Sequence, residues 1–407
     1  MNVTIHPGTA RGTVAAPPSK SMAHRLLICA ALAEGESVVR GVERSEDILA
    51  TADCLTSLGA SLTWEGTTVR VRGCDPRKSG PAVLRCRESG STLRFMIPLC
   101  LLSGRPMRLE GSETLLSRPL SVYEDLCRVQ GLTLKHDVAG LQVQGRLAAG
   151  EYAVPGNISS QFITGLLFAL PFLPCDSRIR LIPPVESHSY LFLTLQALRG
   201  AGVFVQQADE FTLSIPGNAA YRPHNTEVEG DYSNAAFFEA LNCAGGTVSV
   251  TGLRPDSLQG DRVCREYFSR LAEGFTELDL ADCPDLAPVL FAVAALCHGA
   301  AFTGTRRLRF KESSRGAAMA QEMAKFGVRL SLEENRITVP AAVLRTPSES
   351  LDSHADHRIA MALSVLCTRT GGEIRGAEAV CKSFPDYWHK LRSLGIKVDI
   401  QNSSFTE

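Results

Sequence analysis

One pattern of apolar and polar positions recurs six times along the chain: the apolar end of a helix, a glycine, and then a short alternating run. The first four of these glycines lie roughly 70 residues apart, and the later gaps are shorter. Glycine suits the left-handed backbone that ends a helix, and alternation with a period of two is typical of a strand. The pattern therefore predicts an α/β protein built from an internal repeat. The six glycines are Gly59, Gly131, Gly202, Gly274, Gly327 and Gly395.

The alternating runs after the glycines predict six strands. They are expected at residues 60–64, 132–134, 203–205, from 275, at 328–330 and at 396–398. Because each run follows a helix, the N-termini of the repeated helices are expected to point in one direction.

The length of 407 residues exceeds what one hydrophobic core usually holds, so two domains are expected. Three repeats per domain divide the chain near residue 230. We predict a first three-repeat domain at residues 16–229 and a second one formed by residues 1–15 plus 230–407. If an N-terminal strand pairs with the C-terminal half, the chain crosses between the domains twice, which makes a hinge.

Composition excludes several classes of protein. The net charge of −1 provides no overall positive field for nucleic acid. The longest apolar stretches, 162–173 and 286–297, are too short to span a bilayer, and the first seven residues do not resemble a signal peptide. The 13 cysteines contain no Cys-x-x-Cys pair, so we expect reduced core residues and no metal site. We therefore predict a cytoplasmic protein with no membrane or nucleic-acid partner.

Polar clusters stand where seven predicted helices begin. Free backbone N–H groups and the helix dipole make such ends anion sites. A cation there is unfavourable by roughly 0.3–1 kcal/mol, and a bound polyanion would reverse that sign. No Walker A motif is present, so a P-loop nucleotide is not expected. The cations at or near these ends are Lys20, Arg118, Lys311, Arg315, Arg358 and Lys382.

Each cluster alone has a structural explanation. Ser159 and Ser160 are compatible with helix caps, and His357 with a structural histidine. Asp285 also suits a cap, and the charges at 311–315 suit a surface arrangement. Their joint occurrence at equivalent points of a repeat favours anion binding.

Five segments together resemble the 5-enolpyruvylshikimate-3-phosphate synthase family, and they are collinear along nearly the whole chain. The resemblance implies a two-domain inside-out α/β barrel, each domain made of three βαβαββ repeats, with a cleft that closes on substrate. It also implies a monomer without a cofactor. The segments are Pro18-Ser19-Lys20-Ser21 with Arg25, Ser159-Ser160-Gln161-Phe162, Lys311-Glu312-Ser313 with Arg315, Asp356-His357-Arg358-Ile359-Ala360-Met361, and Lys382-Ser383-Phe384-Pro385-Asp386-Tyr387.

The family transfers the enolpyruvyl group of phosphoenolpyruvate to the 5-hydroxyl of shikimate 3-phosphate and releases phosphate, through a tetrahedral adduct, on the pathway to chorismate and the aromatic amino acids. Both substrates are anions, which the clustered cations suit. By matching motifs, the residues implied for shikimate 3-phosphate are Lys20, Ser21, Arg25, Ser159, Ser160, Gln161, Ser187, Tyr190, Asp285 and Lys311. Those implied for phosphoenolpyruvate are Lys20, Gly90, Arg118, Gln161, Arg315, Arg358 and Lys382.

Three residues are implied in proton transfer: Asp285, Glu312 and Lys20. Asp285 suits the base that takes the proton of the 5-hydroxyl. Glu312 and Lys20 both suit delivery of a proton to the methylene carbon, and the sequence does not choose between them. Our hypothesis is that Glu312 is the proton shuttle.

Three sites depart from the family pattern. Glu88 stands where the family has Asn, Ser314 replaces an Asp, and His188-Ser189 replaces Lys-Pro.

Two rival functions share the features so far. A UDP-N-acetylglucosamine enolpyruvyl transferase would use a loop cysteine in a glycine-rich segment, but Cys86 lacks that context. A non-catalytic anion-binding relative would need neither Asp285 nor Glu312. The near-neutral charge also disfavours an RNA-end-modifying enzyme.

Overall fold

The structure, a computed structural model, describes residues 1–137 and 140–401. The chain divides into two compact units. The unit that we call the central unit is Pro18–Glu229, and the flanking unit is Met1–Pro17 with Gly230–Glu407.

The flanking unit begins with two strands, β1 (Asn2–Ile5) and β2 (Arg11–Ala15). The central unit follows with three sheets and seven helices in its described residues: α1 (Lys20–Ala31), β3 (Glu36–Arg40), α2 (Glu46–Ser57), β4 (Ser61–Glu65), β5 (Thr68–Arg72), β6 (Ala82–Arg85), α3 (Gly90–Cys100), β7 (Met107–Glu110), α4 (Glu113–Leu116), α5 (Ser121–Gln130), β8 (Thr133–Asp137), β9 (Gly140–Gln144), β10 (Glu151–Pro155), α6 (Ser160–Ala169), β11 (Ser177–Ile182), α7 (His188–Gly200), β12 (Gln206–Asp209), β13 (Thr212–Ile215) and β14 (Asn225–Glu227).

The flanking unit then resumes with helices and strands that alternate in the same way: α8 (Tyr232–Cys243), β15 (Thr247–Thr251), α9 (Cys264–Glu273), β16 (Thr276–Asp279), α10 (Ala287–Leu296), β17 (Ala300–Thr303), α11 (Arg315–Lys325), β18 (Ser331–Leu332), β19 (Arg336–Val339), β20 (Leu351–Asp352), α12 (His357–Thr370), β21 (Gly372–Arg375), α13 (Tyr387–Ser393) and β22 (Val398–Gln401).

Of the six sheets found in residues 1–137 and 140–401, five share one topology, in which a parallel pair is followed by two antiparallel strands. In the central unit the strand orders are β14-β3-β5-β4, β6-β7-β9-β8 and β10-β11-β13-β12. In the flanking unit they are β16-β17-β19-β18 and β20-β21-β1-β22, and within the described residues the sixth sheet pairs only β15 with β2. In four of these sheets a helix crosses between the two parallel strands, as in β6-α3-β7, β10-α6-β11, β16-α10-β17 and β20-α12-β21.

Strand β1 lies in the interior of its sheet, as the prediction of an N-terminal strand paired with the C-terminal half requires. Val3 lies opposite Ile374 of β21 and Ile400 of β22. Strand β2 likewise pairs in parallel with β15. The first 15 residues thus supply strands to sheets whose other strands lie far along the chain.

Helices fill the centre of each unit and the sheets cover it. Helices α6 and α10 are apolar on nearly all sides, and all but one residue of each is buried. Helices of that kind belong in a core. Strands such as β11 alternate instead between buried and exposed residues. This arrangement confirms the predicted inside-out α/β class.

The repeat is confirmed, with two local corrections. Five of the six glycines have φ between 66° and 113°, but Gly274 has extended backbone and gains nothing from being glycine. Three of the six strands begin one residue later than predicted, and the other three begin two or three residues later, at Gln206, Ser331 and Val398. The apolar residue after the glycine causes this shift, because it is a buried anchor ahead of the paired strand. These anchors are Val203, Val328 and Ile396.

Candidate functional site

The predicted polar clusters do open helices. Ser19 caps α1, so that Lys20 is the first helical residue, and Ser89 caps α3 ahead of Gly90. Ser159 caps α6, where its hydroxyl accepts a hydrogen bond from the backbone N–H of Gln161 at 3.3 Å. Ser159 is therefore a helix cap, as its structural explanation predicts. The cap uses one N–H group of the first turn and leaves the others for a ligand.

Side-chain bonds join five helices of the central unit into a closed circuit, α1–α2–α3–α6–α7. Each link joins polar groups on two neighbouring helices, which fixes the helices relative to one another. The links are Lys20 to Asp47 at 2.7 Å, Thr51 to Thr92 at 2.7 Å, Arg94 to Gln161 at 2.7 Å, Thr164 to Thr194 at 2.9 Å, and Arg25 to Thr194 at 2.9 Å.

Arg25 is held at three points. Besides Thr194, it donates to the backbone oxygens of Ser21 at 2.6 Å and Tyr190 at 3.1 Å. Burial lowers the pKa of Arg25 to about 10, so the guanidinium remains charged at neutral pH. The circuit thus keeps a buried positive charge beside Ser21 and Tyr190, two residues implied for the same substrate.

Gly90 lies against Arg118. A Cβ atom at Gly90 would stand 2.7 Å from Nη1 of Arg118 and 3.3 Å from Nη1 of Arg94. Gln161 connects to the same place, because its amide donates to Ser91 at 2.9 Å while its oxygen accepts from Arg94. Gly90 therefore lets two guanidinium groups approach the first turn of α3, and a larger residue would displace the guanidinium of Arg118.

Arg94 is a site residue that the sequence reasoning missed. It is buried and follows Gly90 by four residues, which places both on one face of α3. That spacing was the available signal.

The departures at 188 and 189 fall at the start of α7: Ser187 is buried with φ of 60°, and His188 Nε2 lies 3.1 Å from the backbone oxygen of Val185. Glu88 is exposed.

Arg315 is the centre of the cluster in the flanking unit. It is the first residue of α11, its side chain has no exposed area, and it makes three ion pairs. The partners are Asp285 at 2.6 Å, Glu312 at 2.6 Å and Asp356 at 2.9 Å. Because Asp356 and Asp285 orient the guanidinium, the family's Asp at position 314 is not needed for that purpose.

Three further cations of this cluster also pair with its oxygens. Lys311 lies 3.1 Å from Asp285, and Arg358 lies 3.2 Å from the other carboxylate oxygen of Asp285. Arg358 also donates to the hydroxyl of Ser233. Lys382 donates to the backbone oxygen of Ala355 at 2.7 Å. The predicted residues Asp285, Lys311, Glu312, Arg315, Arg358 and Lys382 therefore meet at the starts of α10, α11 and α12.

The electrostatics of this cluster follow from burial and close pairing. Burial lowers the pKa of Lys311, and nearby Arg315 and Arg307 act in the same direction against the attraction of Asp285. Burial also acts to lower the pKa of Arg315, but Asp356, Glu312 and Asp285 raise it well above the ordinary value. The guanidinium stays charged, and the cations are balanced by carboxylates that an incoming anion would have to displace.

Asp261 is a second residue that the sequence reasoning missed. It is buried, and its Oδ1 has no hydrogen-bond partner. Burial, the charge of Asp285 and that of Asp231 raise its pKa to about 7, although Arg358 acts in the opposite direction. No sequence signal marks it, because a lone aspartate in Gln259-Gly260-Asp261 resembles an ordinary turn residue.

We also searched the described residues for metal sites and for helices that could cross a membrane. Residues 1–137 and 140–401 contain no group of three or more His, Cys, Asp or Glu placed to hold a metal. Over the same residues, no helix combines the length and apolar character needed to cross a membrane.

Comparison with known proteins identifies the family. The model of the family described as EPSP synthase (3-phosphoshikimate 1-carboxyvinyltransferase) matches residues 6–391. The 3-phosphoshikimate 1-carboxyvinyltransferase of Clostridium perfringens is 38% identical over 96% of this chain and 98% of its own, and that of Clostridioides difficile is 35% identical over 98% and 99%.

Two solved structures of EPSP synthase from Acinetobacter baumannii share the fold. They superpose with TM-scores of 0.78 and 0.79 at 23% and 22% identity, and they cover 98% and 99% of this chain and 100% of their own. With the family model matched over nearly the whole length, the chain belongs to the EPSP synthase family.

Proposed function

We propose that this enzyme is a 3-phosphoshikimate 1-carboxyvinyltransferase, which transfers the enolpyruvyl group of phosphoenolpyruvate to the 5-hydroxyl of shikimate 3-phosphate and releases phosphate. Family membership and the names of relatives at 35–38% identity support this activity. The observation that carries it within the molecule is the buried Arg315, held by Asp285, Glu312 and Asp356. Such a set combines anion-binding cations with carboxylates able to move protons.

Shikimate 3-phosphate is assigned to residues that the structure holds mostly in the central unit. Ser159 and Ser160 at the start of α6 and the fixed charge of Arg25 suit its phosphate. The full assignment is Lys20, Ser21, Arg25, Ser159, Ser160, Gln161, Ser187 and Tyr190, with Asp285 and Lys311 from the flanking unit.

Phosphoenolpyruvate is assigned to the cations around Gly90 and around Arg315. Arginine forms bidentate bonds with carboxylate and phosphate, which lysine supplements as a point charge. Its residues are Lys20, Gly90, Arg118, Gln161, Arg315, Arg358 and Lys382. An anion bound to Arg315 and Arg358 weakens the attraction of these two cations for Asp285. The carboxylate of Asp285 then becomes a stronger base.

The reaction then needs three proton movements. Asp285 accepts the proton of the 5-hydroxyl as the oxygen attacks the second carbon of phosphoenolpyruvate, and a proton adds to the methylene carbon to give a methyl group. Phosphate leaves from the tetrahedral adduct as a proton is removed from that methyl group. We assign both transfers at carbon to Glu312, and Lys20, oriented by Asp47 at 2.7 Å, supports the charge that develops.

The rival functions are weaker. A UDP-N-acetylglucosamine enolpyruvyl transferase is not favoured by the family match. A non-catalytic anion-binding relative would not need Glu312 poised at 2.6 Å from Arg315. We also infer a monomer that works in the cytoplasm. All thirteen cysteines are free, which supports a reducing compartment, where disulfides are rare.

Release of inorganic phosphate tests the proposal directly. Purified protein is mixed with phosphoenolpyruvate, with and without shikimate 3-phosphate, and phosphate is measured over time. We expect release only when both substrates are present. Release without shikimate 3-phosphate, or none with both, would contradict the assigned reaction. Substituting UDP-N-acetylglucosamine for shikimate 3-phosphate separates the first rival.

A further inference from the structure

Glu322 is a buried carboxylate beneath the flanking cluster. It lies seven residues after Arg315, two turns along the same face of α11. Its side chain has no exposed area, and both of its carboxylate oxygens have polar partners. Oε2 lies 2.9 Å from the ammonium of Lys325 and accepts the backbone N–H of Asp352 at 2.9 Å, and Oε1 lies 3.0 Å from Nε2 of His354.

Two of the three partners of Glu322, Asp352 and His354, belong to a turn in an unusual conformation. His354 and Ala355 have φ of 51° and 52°, so two successive non-glycine residues occupy the left-handed region. Such residues persist only where their surroundings hold them. Here the N–H of His354 donates to Asp352 at 2.7 Å, and Glu322 holds both of these residues from below.

The same turn carries the groups that orient the cations. Asp356 follows directly and accepts from Nε of Arg315 at 2.9 Å, and it caps α12 by accepting the N–H of Arg358 at 3.0 Å. The backbone oxygen of Ala355 accepts from Lys382 at 2.7 Å. All three cations assigned to phosphoenolpyruvate in this unit therefore depend on the turn.

We propose that Glu322 is a positioning residue for phosphoenolpyruvate: it fixes the turn at residues 352–356, and through it the placement of Arg315, Arg358 and Lys382. The inference rests on the proposed function. Helix α11 contacts the turn at both ends, through Arg315 to Asp356 and through Glu322 to His354. The helix and the turn are thus joined at two points.

A purely structural role predicts a different result. A buried ion pair that only stabilises the unit would alter unfolding and leave the kinetic constants unchanged. A positioning role raises mainly the KM of phosphoenolpyruvate, because Arg315, Arg358 and Lys382 are all assigned to that substrate. Eight of the ten residues assigned to shikimate 3-phosphate belong instead to the central unit. The ratio of the two KM values therefore distinguishes the roles.

The test compares Glu322→Gln and His354→Asn with a matched control, Glu239→Gln. Glu239 belongs to the same unit and is 11% exposed, and it pairs with Arg265 at 2.6 Å away from the cluster. KM for each substrate, kcat and Tm are measured for every variant. We expect Glu322→Gln to raise KM for phosphoenolpyruvate about tenfold, with KM for shikimate 3-phosphate within about twofold of wild type.

His354→Asn keeps the test decisive if Glu322→Gln does not fold. It removes one partner of the carboxylate from a side chain that is already 25% exposed, and it should raise the same KM about threefold. Glu239→Gln should change Tm only. Both KM values unchanged, or both raised equally, in an active protein would overturn the positioning role. Absence of phosphate release by wild type would instead overturn the proposed function.

Discussion

At the scale of single residues, the sequence indicated which charges matter but not how they are balanced. Arg315 could be picked out from its motif. Its burial against three carboxylates could not, because Asp285 and Asp356 come from segments 30 and 41 residues away. Asp261 was missed for the same reason, since only the packed structure shows what it faces, whereas the spacing of four between Gly90 and Arg94 was a signal that the sequence offered.

Glu312 provides the sharpest test of the proposed chemistry. Glu312→Gln keeps the shape and the hydrogen bond to Arg315 but cannot transfer a proton. We expect kcat to fall by roughly 10²–10⁴ with little change in either KM, as for loss of a general acid or base. Steady-state phosphate release measures both constants.

The control for that variant is Glu334→Gln, a mostly exposed carboxylate that pairs with Arg306 at 3.3 Å. It should retain wild-type kcat. A Glu312→Gln enzyme with full turnover would remove Glu312 from the mechanism and leave Lys20 as the proton donor.

Asp261 should make stability fall as pH rises. Its pKa is about 7 in the folded protein against 3.8 when unperturbed, so between those values the folded state holds a proton that the unfolded state has lost. Stability from this group is therefore present at low pH and declines up to about pH 7, by at most ~1.4 kcal/mol per unit. Asp261→Asn removes the decline, so its Tm relative to wild type should increase from pH 5 to pH 7.

Differential scanning fluorimetry at half-unit pH steps measures this difference. Asp256→Asn is the control: that carboxyl is exposed, and the hydrogen bond from Arg254 lowers its pKa, so its Tm difference should stay flat over the same range. A flat profile for Asp261→Asn as well would show that Asp261 is ionised in the folded protein.

At the scale of elements, the recurring glycine and the polar helix starts predicted most of what is found. Helices α1, α3, α6, α11 and α12 begin within a residue or two of their clusters because the capping signals are local. The strands at 203–205 and 328–330 were misplaced because alternation alone does not separate a buried anchor from a paired residue.

The contact between α3 and α6 gives a prediction at this scale. A Cβ atom at Gly165 would stand 2.4 Å from the hydroxyl of Tyr123 and 2.6 Å from the backbone oxygen of Arg94. Backbone cannot yield cheaply, so Gly165→Ala should lower the free energy of unfolding by about 1–3 kcal/mol. It should also weaken substrate binding, since Arg94 and Gln161 lie on these two helices.

Urea unfolding followed by circular dichroism measures the first effect. Gly80→Ala is a suitable control, because a Cβ atom there would meet nothing within 4 Å. Equal stability of the two variants would show that α3 and α6 can separate without cost.

At the scale of the whole molecule, composition and repeat count predicted an α/β protein with two cores, and each unit does contain its own buried cluster. What the sequence could not supply was the pairing of β1 inside a sheet with β21 and β22, since alternation does not reveal partners. Nor could it show that the sheet of β2 and β15 has only two strands in the described residues.

The strand pairing predicts how fragments behave. All strands of the three central sheets come from residues 18–229, so this fragment should fold alone with a cooperative transition. Residues 230–407 alone should not, because they lack β1 and β2. Fusing residues 1–17 to the C-terminus of that fragment through a flexible linker should restore folding.

Thermal unfolding and amide NMR dispersion distinguish these outcomes. The permuted fragment serves as the control for the truncated one, since both contain the same residues 230–407. A cooperative transition in the truncated fragment would mean that β1 is dispensable.

The discontinuity of the flanking unit has a consequence for biosynthesis. The ribosome releases β1 first, but its neighbours β21 and β22 are made last, on the order of tens of seconds later at ordinary elongation rates. During that interval the central unit can fold. The apolar residues Val3 and Ile5 of β1 have no partner strand until β21 and β22 have been synthesised. Nascent chains could associate prematurely through this segment, and slow translation of the residues between β2 and β21 would lengthen the time for which β1 is unpaired.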